Sequence, residues 1–451
     1  MFLGNSEKKS RQGGLIGIDL DDRYAQISYW IPGAERPETF SQVMGREDTL
    51  IPALAARAGD NGAWLYGREA ERALAAGEAA SAGPLLTMAL LGQSVELGGE
   101  SREGVSLLAM FVGHYLSRLE GAVYAGKADM VMFTFERIEA GTVEMVSRLA
   151  ALLSLAPEQV SCQSRGESFF YYNIHQPREL WLHTCILCDF GGQTLKTRLF
   201  AANFHTSPVT VTVREQDYRE VSRGWLGTES QEEKERIGQR LSEAFSAAAR
   251  KMCEGRIVDT IYLIGDGFEG NWYQDALQLL CAGRRVFRGS NLYSKGACYG
   301  ARAKSSTAGM EHREFVYLGE DMLKVNLGLE AEKGGEAVCF SLLDAGMNWF
   351  DAKGECDFLL GEDRSFSLRL TPLQGKAVKE VIVTLDGVPE RPPRTTRIHL
   401  SVSCPDAGTV KLRMEDKGFG ELFPASARVW EERLPLMPEQ AGMGESRKEE
   451  P

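Results

Sequence analysis

The stretch IGIDLDDRYAQISYW, residues 16–30, reads as an apolar strand, an aspartate, a tight polar turn and a second strand. The same outline returns at ILCDFGGQTLKTRLF, residues 186–200, where Gly191 and Gly192 carry the turn in place of Asp21 and Asp22. Two hairpins of one design so far apart predict a duplicated framework, and the flanking elements agree. After the first come the strand and Ala-rich helix of GAWLYGREAERALAAGEAA, and a helix over 104–125 with apolar residues at helical spacing. The apolar strand DMVMFTF at 129–135 follows, then the amphipathic AGTVEMVSRLAALLSL, with Pro157 just past its end. After the second hairpin come the strand VTVTVRE and the long helix TESQEEKERIGQRLSEAFSAAARKMCEG, whose acidic first turn suits the helix dipole. The strand DTIYLIG, the turn GDGFEGN, the helix WYQDALQLLCAG and the segment SNLYSKGACYGARA complete this half. The order of elements repeats with little residue identity, the mark of a structural duplication rather than a short-period array.

From about residue 314 the character changes to short alternating runs separated by Gly, Asp and Pro, such as TTRIHLSVSCPDAGTVKLRMED. That pattern predicts a β-sandwich over 314–434, reached through a polar linker at 304–313. Residues 1–13 read as a flexible N-terminus and 435–451, with almost nothing to bury, as a disordered tail.

A chain of 451 residues is expected to form two or three units. A net charge of −12 argues against a nucleic-acid partner, which would favour a basic face. No signal peptide or apolar run of membrane-spanning length is visible, and nine scattered cysteines fit reduced thiols, so a cytoplasmic protein without membrane insertion is expected. Cys185 and Cys188 form a C-x-x-C, but on a strand residues three apart face opposite ways, which favours core thiols over a metal or redox pair. The aromatic run SFFYYN reads as core packing, and the basic run Arg284, Arg285, Arg288 as a solvated loop.

In their joint order, GIDLDD, CDFGGQT, LIGDGFEGN and SKGACYGA resemble the loops of the actin-like and sugar-kinase-like ATPase superfamily, most closely the DnaK-type heat-shock chaperones. The resemblance covers roughly 14–303, and RTTRIHLSVSCPDAGTVKLRMEDKGFGE is similar to the chaperones' β-sandwich peptide-binding domain. It implies an α/β duplicated actin-like fold of two RNase H-like lobes, about 14–180 and about 181–303, followed by a lidless sandwich. The short span from Asp189 to Gly265 implies loss of much of the helical subdomain that holds adenine in the chaperones. ATP or ADP with Mg2+ would lie between the hairpins. Asp19 and Asp189 would be catalytic and would hold the metal through water, as suits a hard cation. Asp21, Asp22, Arg23, Gly191, Gly192, Gln193, Thr194, Gly265, Asp266, Gly267, Gly270 and Gly296 would contact the nucleotide.

Three positions depart from the family's pattern. Asp21 stands at a glycine position, with Asp22 and Arg23 where small hydroxyl residues are usual. Glu71, between Arg68 and Arg72, stands where the chaperones keep a catalytic lysine, and Glu167 matches the family's acidic position only with a register shift. A carboxylate about 5 Å from a phosphate oxygen costs roughly 3 kcal/mol at an effective dielectric near 20. The expectation is a DnaK-like protein that binds nucleotide weakly, hydrolyses little, and engages a protein or peptide partner through its β domain. The alternative is a non-catalytic pseudo-ATPase scaffold for protein–protein assembly. A sugar or acetate kinase is disfavoured, because no substrate-binding segment can be recognised.

Overall fold

The computed structural model describes residues 14–31, 33–42, 48–59, 62–122, 128–223, 230–305, 314–373 and 378–436. The expected N-terminal arm, most of the linker and all but the start of the tail lie outside them. Two compact units divide the chain between Gly319 and Glu320.

The first unit holds two sheets of one topology. In lobe I, β1 (Leu15–Leu20) pairs antiparallel with β2 (Tyr24–Trp30), and β2 with the short β3 (Glu38–Thr39). On the other side of β1 lie β4 (Met130–Phe135) and β5 (Val160–Ser164), both parallel to it. In lobe II, β6 (Thr184–Asp189) pairs antiparallel with β7 (Thr194–Asn203), and β7 with β8 (Val209–Ser222). Beyond β6 come β9 (Val258–Ile264) and β10 (Arg285–Arg288), again parallel. The central strands are the most apolar stretches of their lobes, as expected of strands covered on both faces.

The registers are equivalent too. Asp19 pairs with Gln26 and Asp189 with Lys196, each seven residues on, so Asp21 and Asp22 answer to Gly191 and Gly192. Asp19 lies beside Thr134 and Asp189 beside Ile264, which places Glu136 and Asp266 in corresponding positions two residues further along.

Helices α1 (Gly67–Ala75), α2 (Leu85–Leu90), α3 (Gly104–Ala122) and α4 (Ala140–Leu152) belong to lobe I. The helices that follow β5 and β10 each pack on the opposite lobe. α5 (Arg165–Ile174), following β5, sets Phe169 and Phe170 against Phe200 of β7, and Phe169 and Tyr172 against Tyr262 of β9. This is where the aromatic run goes. Helices α6 (Gln231–Cys253) and α7 (Gln274–Leu280) cover lobe II around Phe190, Phe245 and Phe268. α8 (Leu292–Lys304), following β10, lays Ala297 and Ala301 on Met130 and Met132 of β4. The two swapped helices cross at Gly296, where any Cβ would overlap the backbone carbonyl of Ser168. Gly296 is thus a helix-crossing residue, not the nucleotide contact expected from the sequence.

Two domain limits also shift. β11 (Phe315–Tyr317) pairs parallel with β8 and is the sixth strand of the lobe II sheet, although the sequence reading put it in the sandwich. Lys304 and Ser305, assigned to the linker, end α8 and cap it.

The second unit holds two four-stranded antiparallel sheets. One comprises β12 (Val325–Lys333), β13 (Glu336–Leu343), β15 (Ser365–Pro372) and β16 (Lys379–Thr384). The other comprises β14 (Lys353–Leu359), β17 (Arg397–Asp406), β18 (Thr409–Asp416) and β19 (Val429–Pro435). Alternate residues are buried, among them Leu327, Leu329, Leu368, Leu400, Leu412 and Met414. β19 runs past the expected end of the domain to Pro435, and Leu436 is buried beyond it.

Candidate functional site: a cleft closed by ion pairs

The strand ends of the two lobes meet around a cleft of about 330 Å³. Of the residues expected at a site, the lining includes Asp19, Asp21, Asp22, Arg23, Asp189, Gly191, Gly192, Thr194, Gly265 and Asp266. Among the described residues, Gln193, Gly267, Gly270 and Gly296 do not line it. The cleft also contains Glu136, Arg165, Lys196 and Tyr293, with the buried Arg198 just behind, none of which the sequence reading had singled out.

The first hairpin answers why carboxylates replace glycine. Asp21 Oδ1 accepts hydrogen bonds from the amides of Arg23 and Tyr24, both at 2.8 Å, so the side chain closes its own turn. Asp22 turns away to α2, where it accepts from the amide and hydroxyl of Thr87 at 2.9 and 2.5 Å. Neither carboxylate is left bare in the cleft.

The helix α5 starts with Ser164 as N-cap, its Oγ accepting from the amide of Glu167 at 3.3 Å. Arg165 is therefore the first helical residue, a place where the helix dipole disfavours a cation. The carboxylates around it offset that. Arg165 donates through Nε to Asp19 Oδ1 at 2.9 Å and through Nη2 to Asp19 Oδ2 at 3.2 Å. Nη2 also reaches Asp21 Oδ2 at 3.3 Å, and Nη1 reaches Glu136 Oε2 at 3.2 Å.

Lobe II supplies a second buried arginine. Arg198, with no exposed side chain, donates to Glu215 at 2.8 Å, to Glu136 Oε1 at 2.9 Å and to the Tyr293 hydroxyl at 2.5 Å. Tyr293 in turn donates a hydrogen bond through its hydroxyl to Asp189 Oδ2 at 2.8 Å, while Asp189 Oδ1 accepts from the Gly191 amide at 3.0 Å. Lys196 adds a contact to Glu136 Oε1 at 2.6 Å. Glu136 thus joins Arg165 of one lobe to Arg198 and Lys196 of the other. At the corresponding place, Asp266 is held by Arg223 at 3.0 Å and approached by Arg23 at 3.7 Å.

Burial lifts the Asp19 carboxyl to about 6 despite the pull of Arg165. Burial would lift Glu136 as well, but Arg198, Arg165 and Lys196 outweigh it and hold that carboxyl at about 2. The two groups act on stability with opposite sign. Asp19 binds its proton more tightly in the folded chain than at its ordinary 3.8, so its contribution grows on acidification from pH 6 towards 4. Glu136 contributes fully above its ordinary 4.5 and loses that contribution as the pH falls towards 2. A carbon-13 carboxyl titration is expected to show Asp19 with a midpoint near pH 6 and Glu136 unmoved at pH 4. An Asp19 midpoint at or below 4 would contradict this account.

The remaining expected residues serve the frame. Gly265, at a φ of +96°, lies so close to the second hairpin that a Cβ would overlap the backbone of Phe190 and Gly191, and Gly267 is pressed on the Phe190 ring. This loop is packed against its own hairpin, which explains its glycines without a nucleoside. Thr194 gives its hydroxyl to Asp217 at 2.7 Å, and Gln193 accepts from the Arg223 amide through its carbonyl at 2.9 Å. Gly270, at a φ of +83°, makes an open turn. On α1, Arg68 holds Glu71 at 2.8 Å and Asp48 at 3.0 Å, outside the cleft lining. Glu167 is buried in the first turn of α5, and Glu136 stands in the cleft as its acid. Cys185 faces Asn173 of α5 while Cys188 faces Met252 of α6, on opposite sides of β6.

The donors do not fit the magnesium ion that the family resemblance implies. Both oxygens of Asp19 are taken by one guanidinium, and Asp189 is committed to an amide and a phenol. Among the described residues, no three carboxylate, imidazole or thiol groups are placed to hold a metal.

Fold and site define a two-lobed α/β unit with an ion-paired cleft, and a second unit of two antiparallel sheets. Residues 36–320 match the C-terminal region of a family of unknown function, DUF5716, and the chain belongs to that family. Residues 322–436 match a domain of unknown function, DUF8552, so the family boundary falls where the two compact units divide. No curated protein matches the chain. Among the described residues, no helix is long and apolar enough to cross a membrane.

Proposed function

We propose that this chain is a non-hydrolysing relative of the actin-like, DnaK-type clamps, a pseudo-ATPase whose two-lobed unit serves as a protein-binding scaffold and whose β-sandwich engages a protein or peptide partner. One observation carries the reading: each carboxylate that ATP hydrolysis would need already has its oxygens bound by the protein itself. Asp19 is gripped by Arg165 through both oxygens, and Asp189 is closed by Gly191 and Tyr293. On this reading both carboxylates are committed to the protein's own donors instead of to an attacking water or a metal-bound one. The matching topology and hairpin register of the two lobes support descent from a duplicated clamp. Nine cysteines without a disulfide support a reducing compartment, for which the cytoplasm is our proposal.

A second reading keeps nucleotide binding as a regulator of the β domain in a lidless, chaperone-like protein. It is favoured by the solvent-open cleft, with Gly192 and part of Lys196 exposed at its rim. Single-turnover assays with radiolabelled ATP and Mg2+, run beside thermal unfolding with ATP and ADP, separate the two. The scaffold reading expects no phosphate release above background and no shift in unfolding temperature, since a ligand that binds the folded state adds stability. A shift without release would move the conclusion to the second reading. Release abolished by Asp189→Asn would overturn the scaffold reading.

A further inference from the structure

We propose that Arg165 stands in the place of a divalent cation, so that this cleft excludes metal and neutralises its carboxylates with a covalently attached charge. The inference rests on the non-hydrolysing reading of the cleft and says by what device the metal was replaced.

The geometry is that of one guanidinium ringed by acids, which are spread around its three nitrogens and do not meet at a single point. Four carboxylate oxygens from three residues, two of Asp19 and one each of Asp21 and Glu136, lie 2.9–3.3 Å from the nitrogens of one guanidinium. They come from β1, from the turn after it and from the end of β4, three strand ends that the sheet brings together. A hard divalent ion uses acids of this kind at oxygen distances of about 2.0–2.6 Å, which these acids would reach only by closing in once the guanidinium is gone. Here the guanidinium spans the space with fixed forks, and an ion cannot enter without displacing it. The ring of Tyr293 covers the guanidinium, with its centroid 5.0 Å from Cζ. The Arg165 side chain is only 14% exposed. Local preference does not explain the residue, since a cation at the first position of α5 opposes the helix dipole. The neighbouring cations are already engaged. Lys196 and Arg198 share the other oxygen of Glu136, and Arg23 lies towards Asp266. Without Arg165 the three acids would face one another across a half-buried space with nothing to balance Asp19 and Asp21.

The test uses Mn2+, whose binding can be read by electron paramagnetic resonance without any ATP turnover, on the full chain. Wild type is expected to show no saturable Mn2+ site at millimolar metal. Arg165→Met is expected to bind one Mn2+ at least tenfold more tightly than wild type, and the metal should raise the unfolding temperature of the variant alone. Arg165→Lys, which keeps a positive charge, should behave like wild type. A wild-type site that is lost in Asp19→Asn would overturn the proposal, as would a folded Arg165→Met with the wild-type response to Mn2+. Should Arg165→Met fail to fold in plain buffer, refolding with and without Mn2+ decides: rescue by the metal supports the proposal and no rescue overturns it. Because none of these readouts involves phosphate release, the metal-exclusion inference and the scaffold reading fail separately.

Discussion

Replacing Arg198 by methionine is expected to destabilise the two-lobed unit by about 3–5 kcal/mol, the usual loss when one partner of a buried ion pair is removed. The arginine is fully buried and is the common donor to Glu136, Glu215 and Tyr293, with Asp189 at 3.5 Å. Methionine fills much of the volume, so the loss reports on charge and hydrogen bonding rather than on a cavity. What remains are carboxylates in a poorly solvated place, and Glu136 keeps only Arg165 and Lys196. The effect should be largest for the unit that holds the cleft. Hydrogen exchange of amides in β6 and β7 reads that unit alone, whereas a global melt mixes it with the sandwich. A loss below about 1 kcal/mol would mean that water replaces the guanidinium at little cost and that the network does not tie the lobes together. Arg198→Met combined with Glu136→Gln should cost less than the sum of the singles, because the two residues are in contact.

The second large effect is expected in the other unit. Arg391 donates to Asp416 through two parallel bonds, at 3.0 and 2.9 Å, with side-chain exposures of 7% and 0%. Asp416 also accepts from the amides of Gly418 at 2.8 Å and Ser426 at 3.1 Å, so it anchors the loop between β18 and β19 as well as the arginine. Burial would raise its carboxyl, but Arg391 and these donors hold it at about 2. Asp416→Ala leaves a buried guanidinium with only the Pro424 carbonyl, at 2.7 Å, and two amides without their acceptor, and a loss of about 3–5 kcal/mol is expected. Chemical denaturation followed by hydrogen exchange of amides in β17 and β18 reads this unit, whereas the chain's seven tryptophans report on both units. The sign with pH follows from the lowered value. Stability from Asp416 is complete above its ordinary 3.8 and declines as the pH falls towards 2. An unchanged denaturation midpoint in Asp416→Ala would show that the pair is dispensable.

Much of this protein was legible before any coordinates. The repeated hairpins carried the duplication because strand alternation and tight turns are local properties, and both turn sequences announce them. The antiparallel strands of the second unit were legible for the same reason, through their alternating runs. Hairpin register brought Asp19 and Asp189 into one cleft. Errors arose where a residue's role depends on a distant partner. Gly296 and Gly267 look like ligand-loop glycines in sequence, yet one lets two helices cross and the other lies under Phe190. Residues 315–317 alternate like any strand, and only the free edge of β8 decides which sheet they join. Glu136 follows an apolar strand without a glycine to flag it. Its correspondence with Asp266 was the available signal, and it needed the register of β4 against β1.

The sequence alone determined the order of elements, the doubling of the hairpin and the change to short antiparallel strands, since these follow from periodicity and turn chemistry within short windows. Tertiary structure alone decided the character of the cleft. The charge of a carboxylate is written in the sequence, but whether it faces a ligand, a metal or an arginine depends on groups more than a hundred residues away. Asp19 and Arg165 are separated by 146 positions, and their bidentate contact turns an apparent catalytic acid into half of an ion pair.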